Sequence, residues 1–219
     1  MPDVRRAADR FHTVGDGVQT WHSFSYGAHY DPERIRFGPV MAINTEHVAP
    51  GRGYDVHHHA DVEIVTWVLS GVLRHEDSTG QAGDIRPGTA QRLSAGSGVR
   101  HSERNASAVD PLVFVQMMLV SDHDGPPAYA QVDVDPVPGR LTPTVDVAAP
   151  AELFVLRLDA GRSVTVPAAA RSLVIVTSGT IDCAGEQLGI GDEASTTGAG
   201  EYDLRASSAA TALIWQLQE

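Results

Sequence analysis

Three consecutive histidines, His57-His58-His59, stand just ahead of Asp61 and Glu63, and His101-Ser102-Glu103 follows further along the chain. Side chains alternate faces along a strand, so His57, His59 and Glu63 would share one face, and His101 would share one with Glu103. Two such strands lining one barrel would bring all five groups together. Neutral imidazole nitrogens and a carboxylate suit a borderline divalent metal, and three His with one carboxylate leave positions open for a ligand. That pattern points to catalysis more than to a structural clamp. By parity His58 points away from its neighbours and is expected in solvent or behind the ligands, and His75 is expected to be packed or hydrogen-bonded. The single cysteine, Cys183, excludes an intramolecular disulfide and a cysteine-based zinc site, and is expected to be a small buried hydrophobe.

The elements that must position these groups read as strands. Val62 to Leu69 is apolar on both faces, as in a fully buried strand, and ends at Ser70-Gly71. Val72 to His75, Ala82 to Arg86, Ala90 to Ser94 and Leu112 to Val120 follow, separated by turn signals such as Pro87-Gly88 and Gly96-Ser97-Gly98. This is the rhythm of an antiparallel sandwich or barrel. The one stretch of helical character, Pro32 to Phe37, is too short to organise a fold. The Pro/Gly-rich segment 121–144 reads as a crossing linker. After it come Leu153 to Leu158, Ser163 to Val166, Leu173 to Val176, Thr180 to Cys183 and Thr211 to Leu217.

Val68-Leu69-Ser70-Gly71 matches Val176-Thr177-Ser178-Gly179 at an offset close to half the chain length, which predicts a duplicated all-β unit. At that offset His57, His59 and Glu63 fall on Thr165, Pro167 and Arg171, so the second copy has lost the polar constellation. The histidine census agrees: all 10 lie within the first 123 residues. We therefore expect a metal-binding domain at 1–123, a linker at 124–144 and a degenerate domain at 145–219.

Composition narrows the function classes. The chain has 219 residues, 42% of them hydrophobic, a net charge of −12, and all 16 of its basic residues are Arg. No basic stripe is available for a phosphate backbone, so neither direct nucleic-acid binding nor an anionic membrane partner is expected. No apolar run reaches the roughly 18–20 residues of a bilayer span. The first residues carry Arg5, Arg6 and Arg10 but no apolar signal core, so a cytoplasmic location is expected, and a monomer.

The motifs resemble the cupin superfamily: Gly51, His57-x-His59, Glu63 and Gly71 in the first motif, then Gly96-x-Gly98-x-x-His101-x-x-x-Asn105 in the second. Gly96 where most cupins have Pro, the added Glu103, the leading Trp21-His22-Ser23-Phe24-Ser25-Tyr26 and the run His75-Glu76-Asp77-Ser78-x-Gly80 resemble the pirin family in particular. The likeness covers about residues 7–122. It implies a bicupin of two jelly-roll-like β-barrels with metal in the first barrel only, held by His57, His59, His101 and Glu103. Glu63 would then stand behind the ligands and orient one of them.

Some pirins resemble quercetin 2,3-dioxygenases, which open the flavonol heterocycle with O₂ and release carbon monoxide. The resemblance thus implies a flat, flavonol-like aromatic substrate and Glu103 as both ligand and base. It also implies iron(II), with Cu, Mn, Ni or Zn able to occupy the same donors. The alternative is a non-enzymatic, metal-dependent interaction protein or transcriptional cofactor, which on an acidic surface would act through a protein partner.

Overall fold

The computed structural model describes residues 1–198 and 200–218. The strands in chain order are β1 (Asp3–Arg5), β2 (Phe11–Val14), β3 (Val18–His22), β4 (Val40–Val48), β5 (Gly53–His59), β6 (Val62–Ser70) and β7 (Leu73–Asp77). Then come β8 (Ala82–Ile85), β9 (Thr89–Ser94), β10 (Val99–Asn105), β11 (Leu112–Val120), β12 (Ala128–Asp133), β13 (Leu141–Pro143) and β14 (Ala151–Leu158). The last are β15 (Ser163–Val166), β16 (Arg171–Ser178), β17 (Ile181–Cys183), β18 (Glu186–Leu188), β19 (Glu193–Thr197), β20 (Tyr202–Ala206) and β21 (Ala210–Leu217). Among the described residues the only helix is a 3-10 turn at Ala7–Asp9, and none is long and apolar enough to cross a membrane. The helical expectation at Pro32 to Phe37 fails: a single turn closes where the Arg34 N–H donates to the Asp31 carbonyl at 3.0 Å, and Phe37 then bridges to Val40 instead of continuing it.

Two compact units form, whose segments alternate along the chain. One comprises Phe11–Asp133 with Val147–Ala149, the other Met1–Arg10, Val134–Asp146 and Pro150–Glu219. The first unit has a large sheet ordered β12-β9-β6-β11-β4-β3-β2 and a small one ordered β5-β10-β7-β8. The second has β1-β19-β16-β21-β14-β13 and β15-β20-β17-β18. The order β9-β6-β11-β4 thus recurs as β19-β16-β21-β14, and the small sheet recurs strand for strand. The segment 124–144 carries β12 and β13 instead of running as a bare linker, because Ala128–Asp133 finds a partner edge on β9.

In the first unit β6 is rich in β-branched residues, which suit a pleated surface packed on both sides. It lies between β9 and β11, with Val65 opposite Met117 and Ile64 opposite Leu93. Val68, Leu73, Ile85, Leu112 and Phe114 form one buried cluster; Ile64, Leu93, Val99 and Met118 form another. Each such side chain contributes about 1.5–3 kcal/mol by leaving water. Gly71, at φ 83°, ends β6 where a Cβ would come within 2.7 Å of the Pro111 carbonyl oxygen, so glycine is required.

The second unit is filled by Leu156, Val174, Ile181, Cys183, Leu204 and Ile214 among others. Cys183 is buried there as a small apolar side chain. Its edge strand β1 pairs with β19, Val4 standing opposite Ala194. Arg6 reaches Glu186 and Asp192, each at 3.1 Å, and Arg10 approaches Glu193 at 3.8 Å with both side chains buried.

Candidate metal centre

Strands β5 and β10 of the small sheet pair antiparallel with His101 directly opposite His57. His57 and His59, two apart on β5, therefore share one face, and His101 joins them from the neighbouring strand. A register shift between His101 and Glu103 sets Glu103 opposite Tyr54, and on its other side Glu103 pairs with His75 of β7. One potential ligand atom from each of His57, His59 and His101 lies within 4.8 Å of the other two. A second triplet, His75, His101 and Glu103, meets the same limit. His101 belongs to both: His57 and His59 fall in one triplet, and Glu103 falls in the other together with His75.

The donors fit a metal ion. His59 Nε2 and His101 Nε2 are buried without a hydrogen-bond partner in the protein, a costly arrangement unless something else takes their lone pairs. The Nδ1 of His57 lies 2.8 Å from the Asp55 carbonyl oxygen, so it carries the proton and Nε2 is left as the donor. Burial, reinforced by the neighbouring imidazoles, pulls His59 down to about 4 and His101 down to about 3. Both rings are thus neutral at physiological pH, as metal ligation demands.

Glu103 is buried, and Gln116 Nε2 donates to both of its oxygens, at 2.9 and 2.8 Å. Burial pushes its carboxyl up to about 7; the Gln116 hydrogen bond opposes this and the charge of Glu46 adds to it. A cavity of about 290 Å³ opens against these groups, lined by His57, His59, Glu103, Glu46, Tyr54 and Met118 with others from β3, β4 and the Tyr26 turn.

Not all of the sequence expectations converge here. Glu63 does not stand behind the ligands. Asp61 takes φ 59°, which ends β5 and sends β6 into the large sheet, so the parity linking Glu63 to His57 is broken. Its carboxylate accepts from Ser94 Oγ at 2.8 Å, Ser121 Oγ at 2.6 Å and the Ala148 backbone N–H at 3.2 Å. It ties strands together and touches no histidine of the cluster. His58 is exposed, as parity required. His75 is buried, with Nε2 3.2 Å from Asp77 Oδ2 and Nδ1 3.5 Å from His101 Nδ1. Sequence reasoning gives no site role to Glu46, Asn44, Tyr54 or His22, which come from three strands, β4, β5 and β3, with no shared local motif.

Fold and site together define a cupin-type, two-unit β protein with a histidine-lined metal-binding cavity in one unit. The chain belongs to the pirin family: the family model described as Pirin matches residues 4–119. A Mycobacterium bovis protein named "Putative quercetin 2,3-dioxygenase" is 39% identical over 98% of this chain and 94% of its own length. The quercetin 2,3-dioxygenase of Escherichia coli K12 is 36% identical over 63% of this chain and 60% of its own. Among solved structures, YhhW from Escherichia coli superposes with a TM-score of 0.94 at 28% identity, covering 99% of this chain and 97% of that one. A bacterial pirin YhhW in complex with nickel(II) superposes at 0.92 with 27% identity, covering 100% and 99%.

Proposed function

We propose that this protein is a metal-dependent dioxygenase that opens flavonols such as quercetin with O₂ and releases carbon monoxide, with the ion held by His57, His59, His101 and Glu103. The observation that carries the reading is the pair of buried, unpartnered Nε2 atoms of His59 and His101, clustered with His57 next to a cavity that His57, His59 and Glu103 line. The dioxygenase names of the relatives and the nickel(II) complex of a pirin support it. Iron(II) is the ion assigned for reaction with O₂; nickel in a relative is consistent with a donor set that accepts several divalent ions.

When bound, the ion supplies Lewis acidity, which lowers the pKa of a ligated hydroxyl, and open positions for small ligands. The chain's own residues do the rest. His57 is fixed by the Asp55 carbonyl, so its lone pair points into the site before substrate arrives. Glu103 is held by Gln116 at the cavity wall, where its carboxylate is placed to take the flavonol hydroxyl proton. The apolar Met118 and the Tyr26 turn exclude water from the face of a flat ring.

The test is direct. Metal-loaded protein given quercetin in air should consume quercetin and O₂ together, release carbon monoxide, lose activity with a chelator and regain it with iron(II). Metal-replete protein that retains its ion yet shows neither quercetin loss nor O₂ uptake would overturn the reading.

A further inference from the structure

Glu103 is not the only carboxylate buried against the cavity. Glu46, on β4, is 2% exposed and lines the same space, yet it belongs to neither histidine cluster. Thr20 Oγ1 donates to its Oε2 at 2.6 Å and the Tyr54 hydroxyl donates to the same oxygen at 2.7 Å. Two strands therefore hold the carboxylate in one orientation. Tyr54 also links the two halves of the cavity: its hydroxyl is on Glu46, and its ring centroid is 6.2 Å from that of His57.

The wall beside Glu46 is flat and rigid. His22 stacks on Tyr26 with centroids 5.0 Å apart, and its two nitrogens lie 2.9 Å from Asn44 Oδ1 and 2.9 Å from Thr13 Oγ1. Such a wall favours a planar aromatic, and about 290 Å³ accommodates one compact ligand. Both Thr20 and Tyr54 donate to Glu46, so it serves as an acceptor in this wall and the group a ligand presents to it must be a donor. A buried carboxylate is also costly where it meets an apolar ligand edge, which turns acceptance into discrimination.

We infer that Glu46 is a specificity-determining residue of this cavity, accepting a hydrogen bond from a ring hydroxyl of a polyhydroxylated flat aromatic whose other oxygen faces His57 and His59. This rests on the proposed flavonol reading and deepens it: the substrate class is narrowed to phenols carrying a second donor remote from the one at the metal. Glu103, committed to the ion in that reading, leaves Glu46 as the cavity's second carboxylate.

The experiment titrates metal-loaded protein with quercetin and with 3-hydroxyflavone, which keeps the metal-facing hydroxyl and lacks the ring hydroxyls, reading equilibrium binding by fluorescence and metal content in parallel. Wild type should prefer quercetin. Glu46→Gln should keep its metal, weaken quercetin roughly 10-fold or more, and leave 3-hydroxyflavone within about twofold, because hydrogen bonds to ionised groups are roughly twice as strong as neutral ones. Equal loss for both ligands, or no loss, overturns the proposal. Should the variant not hold its fold, Glu46→Asp, which keeps the acceptor but draws it back from the cavity, takes its place: a loss confined to quercetin upholds the proposal, and an equal loss for both ligands or none overturns it. Chelation separates the two readings, because 3-hydroxyflavone binding indifferent to metal would defeat the metal-facing assignment while leaving the Glu46-dependent preference measurable.

Discussion

The two units repeat the same strand orders around opposite interiors. In the first, β5 and β10 place His57 opposite His101 beside a cavity. In the second, the corresponding pair β15 and β20 places Thr165 opposite Asp203, with Thr165 Oγ1 donating to Asp203 Oδ1 at 2.7 Å. Where the first unit buries imidazoles with unpartnered nitrogens, the second buries Leu204, Val166 and Cys183 against one another. The scaffold is therefore complete without the polar constellation. In the first unit the orphaned nitrogens carry a cost in folding that a bound ion would offset, and that is how such a cost becomes a binding site.

The largest effect should come from removing a donor. His59→Ala should weaken metal binding by more than roughly tenfold, a direct ligand outweighing the tenfold or more seen for groups behind one, while β-sheet circular dichroism persists. Elemental analysis of wild type should give about one ion per chain; two tightly held ions would break the contrast between the units.

Next in size, Leu204→Ala in the second unit should cost about 2–5 kcal/mol in denaturant unfolding, since its side chain is fully buried in an apolar cluster, with metal per folded chain unchanged. A loss of less than about 1 kcal/mol would mean that this interior is less tightly packed than the first unit's apolar clusters.

A third prediction concerns pH in the chelated protein. Folded Glu103 keeps its proton up to about 7, whereas the unfolded chain releases it near the ordinary 4.5. Its contribution is thus fully present below about 4.5 and is lost as pH rises through 7, by about 3 kcal/mol. Glu103→Gln should abolish that alkaline loss in stability curves measured from pH 5 to 9. His59 and His101 act in the opposite sense. Their folded values of about 4 and 3 lie below the ordinary 6.5, so their contribution is present above 6.5 and is lost on acidification. A chelated wild type whose stability is flat across both ranges would refute these assignments.

The smallest effect is expected at Glu63→Gln, which should lower stability by about 1–3 kcal/mol through its serine and backbone partners and leave metal affinity within about twofold. Loss of the ion in this variant would restore Glu63 to the metal site.

How much of this was readable beforehand follows from where polarity falls. β6 and β11 were plain in the sequence because they are apolar on both faces, and the separation of His57, His59, His101 and Glu103 follows strand periodicity. β4 escaped notice because Asn44 and Glu46 interrupt its apolar run; both are buried, one against His22 and the other under Thr20 and Tyr54. The residues that shape the cavity thus obscured the strand that carries them. Glu63 was misplaced for a different reason: a single left-handed residue, Asp61, undid a parity argument that assumed one continuous strand.

The pairing of β1 with β19 has a consequence for synthesis. Val4 leaves the ribosome long before Ala194, its partner, exists. At roughly 5–20 residues per second that interval lasts on the order of 10–40 s, during which Asp3–Arg5 has no sheet edge to join. The second unit therefore completes this sheet only once β19 has been made, when Arg6 and Arg10 also reach Asp192 and Glu193. A chain released before residue 193 would leave Asp3–Arg5 without the edge it pairs with.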